Sequence, residues 1–280
     1  MSVLISSWPI VCANIDKISR RLIILKFAVR SETGYVRTNN EDNFFCNGIF
    51  MTPSERDKPF FMSGVAEVPC IFAVFDGMGG HDCGELASLT AVETLSEHAE
   101  KIRSGSCDDV DAFVRDADRR LLTLMDERGI RTGTTFAMCV LGKNFFTAYN
   151  LGDSRIYSVK NGFLTRINDD HTVAEEMVRA GRLNPKYADD SRYSNILTRF
   201  LGMNEDELAS KPDVYALLDY EENRWVLLCT DGLNKMLKHK DMNEIMKGAE
   251  TVDDAVNGLV DEALKRGGKD NVTCIVIELS

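Results

Sequence analysis

The chain has no basic excess. Its 33 lysines and arginines face 44 aspartates and glutamates, a formal net charge of -11 over 280 residues. Without a basic field nothing draws in a phosphate backbone or an anionic membrane surface, so nucleic-acid and membrane-surface binding are excluded. It also has no C-x-x-C pair. Eight cysteines are scattered at 12, 46, 70, 83, 107, 139, 229 and 274, and Cys139 and Cys274 lie inside apolar runs as small core residues. That usage points to a reduced, cytoplasmic compartment. The four histidines (81, 98, 171 and 239) form no i,i+4 pair, which disfavours zinc. No G-x-x-x-x-G-K-[ST] or G-x-G-x-x-G occurs, so nothing supports nucleotide binding. Internal repeats and low-complexity tracts are absent. Val3 to Val11 is apolar but too short to span a bilayer. Lys17, Arg20 and Arg21 follow it, the wrong order for a secretory signal. Residues 1–22 therefore read as an N-terminal extension, and 23–280 as one domain.

What is present is ordinary for a globular protein, 44% hydrophobic and 28% charged. Leu22 to Val29 and Asn43 to Phe50 read as strands, and residues 51–69 as a polar loop or hairpin tip. Cys70 to Phe75 is apolar on both faces, as in a strand buried from both sides, and it runs into Asp76-Gly77-Met78-Gly79-Gly80. Those glycines predict a tight turn that lets backbone approach a ligand. Two amphipathic helices follow, one with Leu86, Leu89, Val92, Leu95 and Ala99 on a face, the other with Val110, Phe113, Val114, Ala117, Leu121 and Met125. Thr134 to Leu141, Asn144 to Asn150, Arg155 to Val159 and Phe163 to Ile167 then predict strands joined by turns at Gly142-Lys143, Gly152-Asp153 and Asn161-Gly162. Residues 171–215 hold one short helix, Val173 to Ala180, in a long polar excursion that reads as a flap over a site. Trp225 to Cys229 predicts a buried strand. Helices over 240–247 and 252–266 precede a last strand, Val272 to Leu279. Helices grouped apart from antiparallel strands imply an α+β layered sandwich.

Four acidic patches stand at the edges of these apolar runs: Glu41-Asp42, Asp76-Gly77, Thr230-Asp231-Gly232 and Lys269-Asp270-Asn271. One Asp beside a Gly is ordinarily a turn residue. Four at strand ends can converge, and converging carboxylates repel one another unless hard divalent cations neutralise them. An all-oxygen set suits Mg2+ or Mn2+. Two such ions about 3.5–4 Å apart would share a water, lower its pKa and offer it for in-line attack at phosphorus. Arg37, four residues before Glu41, is a natural fork for two phosphoryl oxygens. Acidity does not exclude a phosphorylated substrate, because bound divalent metals reverse the local sign.

The ordered set Arg37…Glu41-Asp42, Asp76-Gly77-Met78-Gly79-Gly80-His81, Gly133-Thr134-Thr135, Gly152-Asp153-Ser154-Arg155, Asp170-His171, Leu197-Thr198-Arg199, Thr230-Asp231-Gly232-Leu233 and Asp270-Asn271-Val272-Thr273 resembles the metal-dependent Ser/Thr protein phosphatases of type 2C, the PPM family, and its bacterial branch in particular. The resemblance runs from about residue 27 to the C-terminus. It implies a four-layer α-β-β-α sandwich of two antiparallel sheets flanked by helices, with two Mn2+ or Mg2+ ions at one end between the sheets. It implies that Asp76 bridges both ions and that the Gly77 carbonyl binds one. Asp231 and Asp270 would complete one shell, and Glu41 or Asp42 would serve the other ion. Asp153 would help hold a third, weaker ion, Asn271 would orient the Asp270 turn, and Arg37 would bind the substrate phosphate. Residues 171–215 match the family's variable flap. The implied reaction is hydrolysis of phosphoserine and phosphothreonine in proteins, in signalling with a Ser/Thr kinase and its targets. Animal members place a histidine directly after the bridging Asp-Gly, where it would protonate the leaving group. Here that position is Met78, and either His81 or a metal-bound water would take the role.

Two other readings are weighed against this one. A phosphatase of another chemistry would need Cys with Arg six residues on, which no cysteine has, or Asp-x-Asp after a strand. Asp109-Val110-Asp111 fits the letters but opens a helix, where acidic residues favour the N-terminus. A catalytically inactive, phosphoprotein-binding or sensory relative would ordinarily lack one of the metal-binding aspartates, and all are present.

Overall fold

Apolar residues spaced by two build this molecule. The computed structural model describes residues 23–79, 83–104, 107–143, 145–203, 211–218 and 223–279, so the predicted N-terminal extension lies outside the described residues. One sheet runs in the order β3 (Phe60–Glu67), β1 (Ile24–Glu32), β12 (Val272–Glu278), β11 (Asn223–Cys229), β8 (Arg155–Lys160), β9 (Phe163–Arg166). The other runs β10 (Asp213–Leu218), β7 (Phe145–Leu151), β6 (Phe136–Leu141), β4 (Cys70–Gly79), β2 (Asp42–Cys46), with the short β5 (Thr132–Thr134) paired to the end of β4. All the pairings are antiparallel.

Alternation assigns each strand residue to a layer. Phe72 and Val74 of β4 point between the sheets, with Phe44, Phe27, Val226, Leu228, Ile275 and Ile277. Ile71, Ala73 and Phe75 point outward, under α1 (Gly84–Ser104) and α2 (Cys107–Arg128). The outer face of the first sheet packs Trp225, Leu227, Cys229 and Val276 against α4 (Asp231–Asn234), α5 (His239–Gly248) and α6 (Val252–Lys265). The result is the expected α-β-β-α sandwich.

The predicted helices are present as α1, α2, α3 (Val173–Arg179), α5 and α6. Thr251 heads α6 through a capping box with Asp254. Asn161 and Gly162 adopt positive φ, 52° and 78°, and close the β8–β9 hairpin.

Four local expectations are corrected. The loop expected at 51–69 contains β3, an edge strand whose exposed residues (Val65 is 66% exposed) hide the alternation. The second strand ends at Cys46, and Asn47, at φ 50°, turns the chain back. Gly152-Asp153 does not join a hairpin: β7 and β8 belong to different sheets, so the chain crosses from one to the other there. The end of the predicted flap, from Asp213, is strand β10 on β7.

Phe72 is fully buried between the sheets, 5.0 Å from Phe27 ring to ring. Phe72→Ala should destabilise the fold by about 3–5 kcal/mol. Val65→Ala, on the exposed edge, should stay within about 0.5 kcal/mol. Urea unfolding of both variants at one pH checks the contrast.

Candidate metal centre

The inter-sheet core changes character at one end. Continuing the alternation Phe72, Val74 brings Asp76 to the same face, and Asp42 stands opposite it across the β2–β4 ladder. Beneath them lies a buried polar layer. The Thr230 hydroxyl donates to Asp42 Oδ2 at 2.8 Å, and the Thr273 amide donates to Thr230 Oγ1 at 3.0 Å. Ser31 and Thr273 hydroxyls meet at 2.7 Å, and Asn40 Nδ2 donates to Ser31 Oγ at 2.9 Å. All of these side chains are buried. The layer ends the apolar core and gives the carboxylates above it a fixed floor.

The crossing at Gly152-Asp153 and the start of α4 supply two more carboxylates. One oxygen each from Asp76, Asp153 and Asp231 lie within 4.8 Å of one another. Asp270 and Glu41 stand around this trio. Arg37 grips Asp270 with both arms, Nε to Oδ1 at 2.9 Å and a terminal nitrogen to Oδ2 at 3.0 Å. Glu41 Oε1 accepts from the Gly84 amide at 3.3 Å. The loop before Glu41 is bolted to the C-terminal turn by one side chain. Asn271 accepts from the Glu41 amide at 2.9 Å and donates to the Thr33 and Asn39 carbonyls, both at 2.9 Å. Its side chain thus holds the loop of Arg37 and Glu41 rather than its own turn, although its backbone amide does donate to Asp270 Oδ1 at 3.0 Å.

At Gly77 and Gly79 the glycines allow close approach within a strand, not a turn. Strand β4 runs on through Gly79 because β5 extends its ladder. A Cβ on Gly77 would lie 2.1 Å from the Gly84 carbonyl, and one on Gly232 would lie 1.9 Å from the Asn271 carbonyl. Any side chain at either point would push the strand ends apart.

The electrostatics are those of crowded anions. Burial, then repulsion from Asp231, Asp42, Asp153 and Asp270, pushes the Asp76 carboxyl well above the ordinary carboxylate range. Asp42 is raised by burial against the pull of the Thr230 and Thr273 hydroxyls. Asp153 is pushed up to about 8 by burial, Asp231 and Asp170, with Lys235 and Arg155 pulling back. Asp231 and Glu41 are also raised, chiefly by burial. An all-oxygen, half-enclosed set of crowded carboxylates fits a hard divalent ion, whose charge would offset their mutual repulsion.

His81 lies outside the described residues, as does Gly80. Three features went unseen in the sequence. One is the Thr230–Thr273–Ser31 layer, hidden because threonines and serines inside strands carry no pattern of their own. Another is Lys235, one helical turn after Asp231 and ion-paired to it, which the spacing could have revealed. The third is the flap anchor. Arg155 holds Asp170 and, at 2.5 Å, Asp189. His171 accepts the Gly152 amide on Nδ1 at 3.0 Å, and its Nε2 meets Arg199 at 3.0 Å and Asp213 at 3.2 Å. A cavity of about 580 Å3 opens beside Asp153, lined by Lys186, Asp189, Arg192 and Asn195 of the flap and by Lys235 and Lys238.

The model of the family described as Protein phosphatase 2C matches residues 55–267. The chain is 29% identical over 258 residues to the serine/threonine phosphatase stp of Listeria monocytogenes, covering 89% of this chain and 94% of that protein. It is 28% identical over 266 residues to the serine/threonine protein phosphatase PstP of Mycobacterium tuberculosis, covering 93% of this chain but 46% of that protein. A crystal structure of the Mycobacterium tuberculosis PstP superposes with a TM-score of 0.76 at 28% identity over 92% of this chain and all of that one. Another, of the PstP catalytic domain in complex with two manganese ions, has a TM-score of 0.74 at 28% identity, covering 91% of this chain and 99% of that one.

A carboxyl raised in the folded state costs stability as pH climbs from its unfolded value, about 4, to its folded one. For Asp153 that window ends at about 8. In EDTA, Asp153→Asn should therefore melt several degrees above the wild type at pH 8, and the gap should close toward pH 5. Thermal unfolding at both pH values checks it. Mn2+ should raise the wild-type Tm more at pH 8 than at pH 5, because metal and protons compete for the same oxygens.

Proposed function

The chain belongs to the protein phosphatase 2C family and is a metal-dependent protein serine/threonine phosphatase, and on that premise we propose how its residues divide the work. Asp76 would be shared by two Mn2+ or Mg2+ ions, and the Gly77 carbonyl, Asp231, Asp270 and Glu41 would help hold them. Asp42, whose Oδ2 takes the Thr230 hydroxyl, would lend its charge from below. Bound divalent ions supply an acidified water for attack at phosphorus and screen the phosphoryl oxygens.

The remaining chemistry belongs to the side chains. Arg37 is aimed at the centre by its two bonds to Asp270, and it forks two oxygens of the substrate phosphate. The cavity between the flap and the α4–α5 turn receives the polypeptide around the phosphorylated residue. Residues 23–280 act as one phosphatase domain with its flap at about 171–212. The substrates are phosphoserine and phosphothreonine in proteins, a partner Ser/Thr kinase and its targets among them. The free, buried thiols of Cys46, Cys70, Cys139, Cys229 and Cys274 suit a reducing cytoplasm. No helix among the described residues is long and apolar enough to cross a membrane.

The observation that carries this reading is the convergence of Asp76, Asp153 and Asp231 at one point beside Arg37 and Asp270. The test is phosphate release from a phosphothreonine peptide. Activity should require Mn2+ or Mg2+, return when EDTA is removed and metal restored, and vanish in a folded Asp231→Asn variant. Turnover that survives both chelation and Asp231→Asn would sink the assignment. Arg37→Ala should lower kcat/KM by about 10- to 100-fold, mostly through KM, as expected for a lost charge-assisted phosphate contact. Unchanged kcat and KM would remove Arg37 from the site.

A further inference from the structure

The side of the cluster that faces the cavity already holds a cation. Helix α4 is a single turn, Asp231–Asn234, and the Lys235 amide closes it by donating to the Asp231 carbonyl at 2.8 Å. Residues four apart on such a turn stand one above the other. The Lys235 ammonium accordingly meets Asp231 Oδ2 directly, as an i,i+4 ion pair. That carboxylate belongs to the trio whose oxygens lie within 4.8 Å, so the ammonium sits at the trio's edge. Lys235 and Asp153 line the same cavity wall. Arg155, on the same wall, has its guanidinium already committed to Asp170 and Asp189. Lys235 is the cation seen paired on the Asp153–Asp231 side.

We propose that Lys235 supplies from the chain itself the positive charge that a third divalent ion would bring to Asp153 and Asp231, and so limits the centre to two ions. The charges support that limit. Glu41, Asp42, Asp76, Asp153, Asp231 and Asp270 carry six negative charges when ionised, and two divalent ions with Arg37 and Lys235 balance them. A further divalent ion would have to share Asp231 with the ammonium and would be repelled by it. The ammonium also donates a hydrogen bond to Asp231 Oδ2, an oxygen such an ion would need as a ligand. Lys235 acts here as a positioning residue. It touches the ligand set, and through it sets how many ions the set accepts. The inference rests on the two-metal reading above and departs from it only at Asp153, which in this chain answers to an ammonium in place of an ion.

The experiment counts bound Mn2+ on full-length protein, by equilibrium dialysis and by the Mn2+ electron paramagnetic resonance signal, at roughly millimolar free metal. Wild type and Lys235→Arg should bind two ions. Lys235→Ala and Lys235→Asp should bind three, the last ion more tightly in the Asp variant. The Lys235 side chain is 31% exposed, so neither replacement opens a core cavity, and circular dichroism verifies folding. Three ions on the wild type, or two on every variant, would overturn the proposal while leaving the two-metal phosphatase intact. No ion bound to any of the proteins would overturn both.

Discussion

Mutual repulsion among carboxylates that the fold will not let apart is the constraint on which this structure turns. Five aspartates and a glutamate are drawn to one end of the space between two sheets, and several are raised by burial and by one another. Flexible carriers would relieve this by moving. These residues cannot, because Asp42 and Asp76 are register partners in a β-ladder and Asp231 opens a helix at the end of a central strand. The stored repulsion becomes affinity once cations enter, which is how a rigid anionic site discriminates in favour of small, highly charged ions.

Bearing that repulsion takes a particular substructure. The apolar core stops one residue short of the cluster, and a hydrogen-bonded layer of Thr230, Thr273, Ser31 and Asn40 takes its place. Hydroxyls suit this position because each can donate upward to a carboxylate and accept from the backbone below. Asn271 then ties the N-terminal loop of Arg37 and Glu41 to the C-terminal turn. Residues more than two hundred positions apart are thereby held at hydrogen-bond distance, and the glycines at 77 and 232 let the strand ends close to that distance.

The layer order was legible in the residues because buried strands and amphipathic helices announce their faces. Cys70 to Phe75, apolar throughout, could only be covered on both sides, and it is, by the first sheet and by α1 and α2. The motif aspartates were legible because each interrupts an apolar run. Less could be read where one residue answers to a partner distant in sequence. Strand β3 is an edge, largely exposed and weakly patterned, and exists because β1 offers it a ladder. Gly152-Asp153 has the letters of a hairpin turn, but whether a turn joins neighbours or crosses between sheets depends on where the next strand finds its partner. Glycines after Asp76 signal conformational freedom in a sequence; what they provide here is the absence of a side chain.

The flap follows a different rule from the centre, and the contrast has a functional sense. Its two ends are fixed to the sheets: Arg155 holds Asp170 and Asp189, His171 is locked between the Gly152 amide and Asp213, and Leu201 exchanges backbone hydrogen bonds with Thr134. The stretch between them turns polar side chains, among them Lys186, Arg192 and Asn195, into the cavity beside Asp153. Positional precision is therefore concentrated where phosphorus chemistry needs it. On the proposed reading, polar side chains of the flap would form the wall that meets the polypeptide around the phosphorylated residue. A centre that binds the phosphate and a wall that would meet its surroundings could then vary separately, because the anchors lie between the wall and the carboxylates.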